Sequence, residues 1–225
     1  MSKNLPDAVE GTLRKFALRV PEVIRECSGI VVFGKRIKSL VFSTDLSIIR
    51  NVNADAIIAV YPFTPQPIIT QSLLMAADIP VFAGVGGGLT RGQRVQNLAQ
   101  YAEMQGAMGV VVNAPTTDDT IYRVSETIDI PVVVTVVNKN VDIDARLKAG
   151  ADIFNVSAAA DTPDVVANIR STQPHLPIIA TGGPTDESIL ATIEAGANAI
   201  TWTPPSNGEI FKDIMRAYRN GEEHP

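Results

Sequence analysis

Residues 176–203, LPIIATGGPTDESILATIEAGANAITWT, contain a strand, a helix and a second strand in one short span. The apolar runs LPIIAT and NAITWT have the length and composition of buried parallel strands. Between them, Thr185 is a typical helix N-cap and Gly196 a typical helix end. Gly182 and Gly183 join the first strand to the helix, where glycine permits either a sharp turn or close approach of the backbone to a ligand. The stretch therefore predicts one βαβ unit.

The same unit recurs along the chain. The junction KAGADIFNVS, from Lys148, aligns residue for residue with EAGANAITWT, from Glu194, and QGAMGVVVNA, from Gln105, is a looser copy. A further helix is predicted from a Thr90 cap to Gly106. Each unit needs neighbours to bury its apolar face, so the repeat predicts one continuous core. The eight predicted strands are 38–43, 54–61, 79–85, 108–113, 130–137, 151–157, 176–181 and 198–203.

Eight such units in 225 residues predict an α/β fold, a closed (β/α)8 TIM barrel, as a single domain over residues 1–225. We predict that residues 1–37 form an N-terminal helix and a short hairpin that plug the bottom of the barrel. The stretch PDAVEGTLRKFALRVPEVIREC, residues 6–27, has helical spacing apart from Pro21. The hairpin, within GIVVFGKRIK, could pair with the first barrel strand. The main alternative is an open doubly wound sheet. The stretch GVGGGLTRG does not keep the GxGxxG spacing that such sheets use for dinucleotides.

Composition and charge exclude several classes of protein. The net charge of −5 and a pI near 5.1 give no basic footprint for nucleic acid. No apolar run approaches the roughly 20 residues that span a bilayer, and MSKNLPDAVEG lacks the apolar core of a signal peptide. We therefore expect a soluble, cytoplasmic protein that binds neither nucleic acid nor membrane. The single cysteine, Cys27, is expected to be a small buried residue.

In a TIM barrel the active site lies at the carboxyl ends of the strands. His175 is predicted at the opposite end and His224 in the terminal tail, which argues against histidine bases, zinc sites and Ser-His-Asp sites. Asp45 is the only acid directly after a strand, so we predict no metal and no cofactor. The candidate positions just past the strands are Thr44, Asp45, Tyr61, 84–88, Asn113, Asn138, Lys139, Asn155, Ser157, 181–183 and 203–206.

Lys139 and Asp45 are the candidate groups for proton transfer. Lys139 is the only lysine close to the carboxyl end of a predicted strand, and it could form a Schiff base, act as an acid or bind an anion. It could equally be a solvated loop lysine. Asp45 could be a general base, but STDLS is also a good helix-cap sequence. Asn113 and Asn155 are the candidate groups that polarise or orient the substrate.

The run GVGGGLT after the third strand suggests a loop that needs left-handed backbone or close contact with another group. A sharp turn explains one or two of these glycines, and a ligand at the barrel mouth would explain the third. Gly86 and Gly87 are therefore candidate ligand contacts. The loop after the eighth strand, TPPSNGE, has two prolines without N–H, which leaves Ser206 and Asn207 as its candidate phosphate donors, together with Gly208.

Residues 176–203 resemble the strand 7 to strand 8 region of ribulose-phosphate-binding and aldolase-type barrels, with the 2-keto-3-deoxy-phosphogluconate aldolase group most similar. A second similarity is to thiazole synthase, in which a short hairpin precedes a strand like KSLVFSTD. In such barrels the glycine amides after strand 7 bind a phosphate. The resemblance thus implies that Thr181, Gly182 and Gly183 contact the ligand. Those two enzymes also use a lysine within a strand, whereas ADIFNVS, MGVVVNAP and IPVVVTVV contain none.

The resemblance and the residues together predict an enzyme with lyase or isomerase chemistry on a small anionic or phosphorylated carbonyl metabolite. A hydrolase is the enzymatic alternative, because a water activated by Asp45 would need little else. A non-catalytic ligand-sensing barrel, like the glycerol-responsive antiterminators, is the alternative from another class. The apolar helix PIITQSLLMAA could bury a face in a homo-oligomer or pack on the barrel.

Overall fold

The computed structural model describes residues 6, 7, 9, 11 and 18–223. Ten strands and eight α-helices lie in the described part of the chain. The strands are β1 (Ile30–Val32), β2 (Lys35–Ile37), β3 (Ser39–Phe42), β4 (Ala56–Ala59), β5 (Val81–Gly86), β6 (Gly109–Val112), β7 (Val132–Val136), β8 (Ile153–Val156), β9 (Ile178–Thr181) and β10 (Ala199–Trp202). The helices are α1 (Leu46–Arg50), α2 (Pro67–Ala76), α3 (Gln93–Met104), α4 (Asp118–Ser125), α5 (Ile143–Lys148), α6 (Thr162–Thr172), α7 (Asp186–Glu194) and α8 (Asn207–Arg219).

Strands β3 to β10 form a closed barrel in which every neighbouring pair is parallel. The barrel closes between β10 and β3, where Trp202 lies opposite Val41. All eight predicted strands are present, so the TIM barrel is confirmed and the open-sheet alternative is wrong. Each strand is buried on both faces, which is why its sequence is a continuous apolar run rather than an alternating one.

The predicted helix starts were right at one position and wrong at another. Thr185 caps α7, and its side chain and that of Ser188 bond each other's backbone N–H groups in a capping box. Helix α3 begins instead after Gly92, so the predicted Thr90 cap is wrong. The Thr90 carbonyl accepts a hydrogen bond from Gly87 N–H at 3.1 Å, and its side chain is buried, so it belongs to the preceding turn.

The repeated Ala-Asp and Ala-Asn pairs before the strands have a structural reason. In each, the acidic or amide side chain accepts a hydrogen bond from the backbone N–H that precedes or begins the neighbouring strand, at 2.9 Å in every case. These contacts tie adjacent strands together at the amino-terminal end of the barrel. The pairs are Asp55 with Lys38 N–H, Asp152 with Val132 N–H, and Asn198 with Ile178 N–H.

The hairpin β1–β2 plugs the bottom of the barrel, as predicted. Its apolar side chains Ile30, Val32 and Ile37 pack in one buried cluster with the inward side chains of the barrel strands. The strands of the hairpin pair with each other and form a separate two-stranded sheet, so the expected pairing with β3 is wrong. The turn at Phe33 and Gly34 has two left-handed residues, which matches the twist of a two-residue hairpin. A second, larger core lies between the strands and the helices.

The predicted N-terminal helix is only partly testable, because much of it lies outside the described residues. Of the described part, Glu22–Glu26 forms a short 3-10 helix, and Leu18 is extended, since it pairs with the backbone of Asn51 and Asn53. An α-helix over the described residues 18–26 is therefore wrong. Proline at position 21 explains the break, because it lacks an N–H and disfavours helical backbone before it. Cys27 is buried as predicted, and burial raises its pKa to about 11.

Helix α2 packs one face on the barrel and leaves another exposed. Thr70 and Leu73 are buried, whereas Ile68 is 63% and Met75 80% exposed. The packing of α2 is therefore compatible with both hypotheses for this helix, packing on the barrel and burial of a face in a homo-oligomer. Among the helices of residues 18–223, none has the length and apolar character needed to cross a membrane.

Candidate active site

A cavity of about 260 Å³ lies at the carboxyl ends of the strands, inside the barrel mouth. Its floor and one wall are apolar, and the rest consists of neutral polar side chains. In parallel strands, residues two apart point to the same face, which places Thr135 of β7, Asn155 of β8 and Thr201 of β10 toward the interior. The full lining is Phe42, Ile58, Val60, Asn113, Thr135, Asn155, Ser157, Thr181, Thr201 and Thr203. None of these side chains titrates near neutral pH.

Two buried polar atoms of this deep cavity have no hydrogen-bond partner, the Oδ1 of Asn155 and the Oγ1 of Thr201. Thr201 is only 7% exposed. The amide nitrogen of Asn155 donates to Thr135 Oγ1 at 3.5 Å, and Thr181 Oγ1 donates to Ser157 Oγ at 3.3 Å. Buried polar groups in proteins are normally paired, so unpaired atoms that line a cavity mark a place for a ligand or water.

A second cavity, of about 590 Å³, opens beside the first on the side of β3 and α8. The two share Phe42, Val60, Asn113 and Thr203, and a small recess that contains Tyr61 and Gly86 adjoins both. This outer cavity holds the titratable side chains of the mouth. They are Asp45 and Tyr61.

Asp45 caps α1 and at the same time joins it to α8. Its Oδ1 accepts hydrogen bonds from the backbone N–H groups of Ser47 and Ile48 and from the Ser47 hydroxyl, at 2.8, 3.3 and 2.7 Å. Its Oδ2 accepts one from the side-chain amide of Asn207 at 2.5 Å. The cap interpretation of STDLS is thus confirmed. The carboxylate is held in place, and it faces the outer cavity as its one acid.

The hydrogen bonds from Ser47 and Ile48, that of the Ser47 hydroxyl first, lower the pKa of Asp45 below its usual 3.8. A lowered folded-state pKa means that the carboxylate stabilises the protein fully above the unfolded value, and that this contribution disappears as the pH falls through the folded-state pKa. We expect Asp45→Asn to be less stable than the wild type near pH 7, and the difference to shrink below about pH 3.8. Urea unfolding followed by Trp202 fluorescence measures this. A difference that stays constant with pH would contradict it.

The amino terminus of α8 is already occupied by an internal carboxylate. Ser206 caps the helix, and both its backbone N–H and its hydroxyl donate to Glu209 at 2.7 Å. These bonds, the backbone one first, lower the pKa of Glu209. Ser206 and Asn207 both line the outer cavity, but the N–H and hydroxyl of Ser206 and the side-chain amide of Asn207 are engaged within the protein.

The glycines after β9 have structural reasons of their own. A side chain at Gly182 would lie 2.7 Å from Ile189 and 2.8 Å from Ile200, so its absence lets α7 pack against β10. Gly183 has left-handed backbone, with φ of +82°. Neither residue lines the deep or the outer cavity of the mouth, whereas Thr181 before them lines the deep one. The strand-to-helix turn and the packing of α7 thus explain the two glycines at least as well as a ligand contact does.

Gly86 and Gly87, at the end of β5, also have structural reasons, because each lies against a neighbouring residue. A side chain at Gly86 would meet Val95 of α3, and one at Gly87 would meet the Cα and backbone N of Asn113 at 3.0 Å. Gly86 also accepts a hydrogen bond from Asn113 N–H at 2.9 Å. This loop therefore supports Asn113, which lines both cavities and the recess between them.

Lys139 lies away from the cavities. Its ammonium is 3.5 Å from the carboxylate of Asp164, and its side chain is 57% exposed. The structure thus favours the solvated-loop interpretation for this residue. Arg146, on α5, is instead close to the mouth: it donates to the carbonyls of Ala114 and Thr116 in the loop after Asn113, at 3.3 and 2.5 Å.

Several residues of the deep cavity escaped sequence analysis, namely Phe42, Thr135 and Thr201. All three lie inside strands, as Asn155 and Thr181 do, and local sequence does not show which strand residues face the barrel interior. The signal was present as polar residues within otherwise apolar runs, in VVVTV and AITWT. Among residues 6, 7, 9, 11 and 18–223, no group of three His, Cys, Asp or Glu side chains could hold a metal ion.

No protein-family model and no curated protein matches the chain. Solved structures do match. A phosphonopyruvate hydrolase in complex with oxalate and Mg²⁺ is 14% identical, with a TM-score of 0.63 and coverage of 85% of each chain. A dihydrodipicolinate synthase from Bacillus anthracis is 16% identical, with a TM-score of 0.59 over 85% of this chain and 77% of that one. QR15, an aldolase, is 16% identical, with a TM-score of 0.56 over 82% and 96%. The chain thus shares the TIM-barrel fold of these three proteins.

Proposed function

We propose that the protein is an enzyme with lyase or isomerase chemistry that acts on a small carbonyl metabolite at the barrel mouth. The observation that carries the proposal is the joined pair of cavities at the carboxyl ends of the strands. The deep one has neutral polar groups that can hold and polarise oxygen atoms, and the outer one has two titratable side chains. A concave site of this kind at this face of the barrel is where such enzymes bind their substrates.

Each residue of the site has a separate role in the proposed reaction. The amides of Asn113 and Asn155 bind and polarise the oxygen atoms of the substrate. Tyr61 is the proton donor, because its oxygen accepts a hydrogen bond from Gln66 N–H at 2.9 Å and so leaves its own proton free for the substrate. Asp45 is ionised at neutral pH and is the proton acceptor. Lys139 has no part in the reaction.

An anionic or phosphate group on the substrate would face the rim, near the glycine-rich loops after β5 and β9. Mg²⁺, present in the phosphonopyruvate hydrolase structure, does not fit the residues at this mouth. The outer cavity offers the single carboxylate of Asp45, and its oxygens are bonded to Ser47, Ile48 and Asn207. Magnesium prefers near-octahedral oxygen coordination, with carboxylates that are free to bind it. No step of the proposed reaction therefore uses a metal.

Exchange of substrate protons with solvent tests the proposed chemistry. Lyases and isomerases that act beside a carbonyl remove a carbon-bound proton or form a carbanion, which takes up deuterium in D₂O. We expect NMR to show protein-dependent deuterium uptake or product formation with at least one compound in a panel of keto acids, hydroxyaldehydes, hydroxyketones and their phosphates. Tyr61→Phe should slow the reaction by about 100-fold, the usual contribution of a general acid.

Lys139→Met is the matched control, since Lys139 is also titratable but lines neither cavity. Loss of activity in Lys139→Met with full activity in Asp45→Asn and Tyr61→Phe would contradict the assignment. A hydrolase would instead show net addition of water to the substrate.

A non-catalytic ligand-binding barrel is the second candidate. The observation that favours it is that the deep cavity has no titratable side chain, while the carboxylate of Asp45 accepts hydrogen bonds from the cap of α1 and from Asn207. Binding of a compound from the panel without proton exchange or product formation would support this candidate and overturn the enzymatic proposal.

A further inference from the structure

The unpaired atoms of the deep cavity lie on neighbouring parts of the barrel wall. Asn155 is on β8 and Thr201 on β10, and the strand between them, β9, contributes Thr181 to the same lining. The Asn155 Oδ1 and Thr201 Oγ1 atoms are both buried and unpaired. Both residues line the cavity, so a ligand bound there can supply the hydrogen-bond partner that each atom lacks.

The chemistry of Asn155 restricts what that ligand atom can be. Its amide nitrogen already donates to Thr135 Oγ1, so the open atom is the carbonyl oxygen, which can only accept a hydrogen bond. The ligand must therefore present an O–H or N–H group. A carboxylate or an ionised phosphate oxygen has no proton to donate. Thr201, with a rotating hydroxyl, can donate to or accept from a second oxygen.

The charges around the cavity also favour an uncharged ligand group. None of its ten lining residues is ionisable, and the adjoining outer cavity contributes the negative charge of Asp45. An anionic group taken into the deep cavity would lose its water without gaining a cation, which is strongly unfavourable. An uncharged group with several hydroxyls would lose far less and would find partners in the surrounding threonines.

We infer that the deep cavity binds the uncharged, hydroxyl-bearing end of a short carbonyl compound. One hydroxyl donates to Asn155 Oδ1, a second oxygen bonds Thr201 Oγ1, and any anionic group points outward. At about 260 Å³ the cavity has the volume of roughly nine water molecules at about 30 Å³ each, which suits a chain of a few carbons. This inference rests on the proposed function and names the substrate class of that same site.

Matched compounds test the inference by calorimetric titration and thermal shift. Hydroxypyruvate and pyruvate differ by one hydroxyl on an equally charged molecule. Dihydroxyacetone and its phosphate differ by an anionic group on an equally placed ketone. We expect hydroxypyruvate to bind at least about tenfold more tightly than pyruvate, since loss of a hydrogen bond to a buried acceptor has about that effect. Dihydroxyacetone should bind even though it has no phosphate group.

Three variants separate the ligand contact from fold stability. Thr201→Val and Asn155→Leu remove the two open atoms with little change of volume, and both should weaken hydroxypyruvate and dihydroxyacetone binding at least about tenfold. Thr201→Ser, which keeps the hydroxyl, should restore most of the affinity. Thr116→Val is the control, because Thr116 Oγ1 is equally buried and unpaired but lines neither cavity. It should bind both compounds like the wild type.

Equal binding of pyruvate and hydroxypyruvate, or unchanged affinity in Thr201→Val and Asn155→Leu, would overturn the inference and leave the proposed reaction standing. Binding with the expected preferences but without turnover would support the inference and overturn the enzymatic proposal. Failure of all four compounds to bind would overturn the inference, because they supply the small hydroxylated and non-hydroxylated carbonyl ends that it distinguishes.

Discussion

Gly87→Ala is expected to destabilise the protein by about 3 kcal/mol and to weaken ligand binding, whereas Gly88→Ala should lower stability by only about 1 kcal/mol. Gly87 has φ of +115°, which a residue with a side chain adopts only under strain, and a Cβ there would press on the backbone of Asn113. Gly88, with φ of +65°, has open space where its Cβ would lie. The larger loss at Gly87 is therefore expected from its backbone conformation and the close contact together, neither of which Gly88 has to the same degree.

Urea unfolding gives the stability of each variant, and titration with a compound bound by the wild type gives the affinity. Because Gly87 lies against the backbone of Asn113, Gly87→Ala should change the affinity through the position of that amide. Equal losses in Gly87→Ala and Gly88→Ala would show that contact with Asn113 is unimportant. The triple glycine would then serve only to turn the chain.

Arg170→Leu is expected to destabilise the protein by about 3 kcal/mol, through loss of a hydrogen-bond network at the amino-terminal end of the barrel. Its guanidinium donates to five neutral acceptors, and burial lowers its pKa. Removing it would leave several half-buried carbonyls unpaired. The acceptors are the backbone oxygens of Gly196, Gln173, Pro174 and Leu176 and the side-chain oxygen of Asn198.

Arg123→Leu is the control for Arg170→Leu. Arg123 lies on the outer face of α4 and pairs with Asp119 one turn away, with both side chains more than half exposed. An exposed pair of this kind contributes little to stability, because water and salt screen the two charges. The unfolding midpoint in urea should therefore fall clearly in Arg170→Leu and change little in Arg123→Leu. Similar midpoints for the two variants would mean that water replaces the guanidinium at little cost.

The barrel could be predicted from the sequence because its signal is repeated eight times. Each apolar run, turn and helix agrees with its neighbours, and a mistake at a single cap, as at Thr90, leaves the pattern intact. The N-terminal helix lacked that redundancy. The end of the proposed helix, residues 18–26, was assigned on apparent helical spacing despite Pro21, and the pairing of Leu18 with Asn51 and Asn53 that overrides it is a long-range contact.

The candidate site was harder to predict for a physical reason. Closeness to the carboxyl end of a strand is a local property of the sequence, and Asn113, Asn155 and Thr181, which were predicted from it, line one cavity. Whether a hydroxyl inside a strand faces the barrel interior or its outer helices depends on the register of the whole barrel, which placed Thr135 and Thr201 at the mouth. The hydrogen-bond partners of charged groups could not be predicted either, because Asp45 and Asn207 are 162 residues apart in the sequence.

That last contact has a consequence for how the barrel assembles. Asp45 and Ser47, at the start of the ring, bond Asn207 at its end, directly above the point where β10 joins β3. The final βα unit must therefore dock onto the first before the mouth exists. Contacts between residues so distant in sequence form slowly, because a long loop must close before they stabilise anything. On a growing chain, the ability to bind a ligand should appear last, only after the eighth unit has left the ribosome.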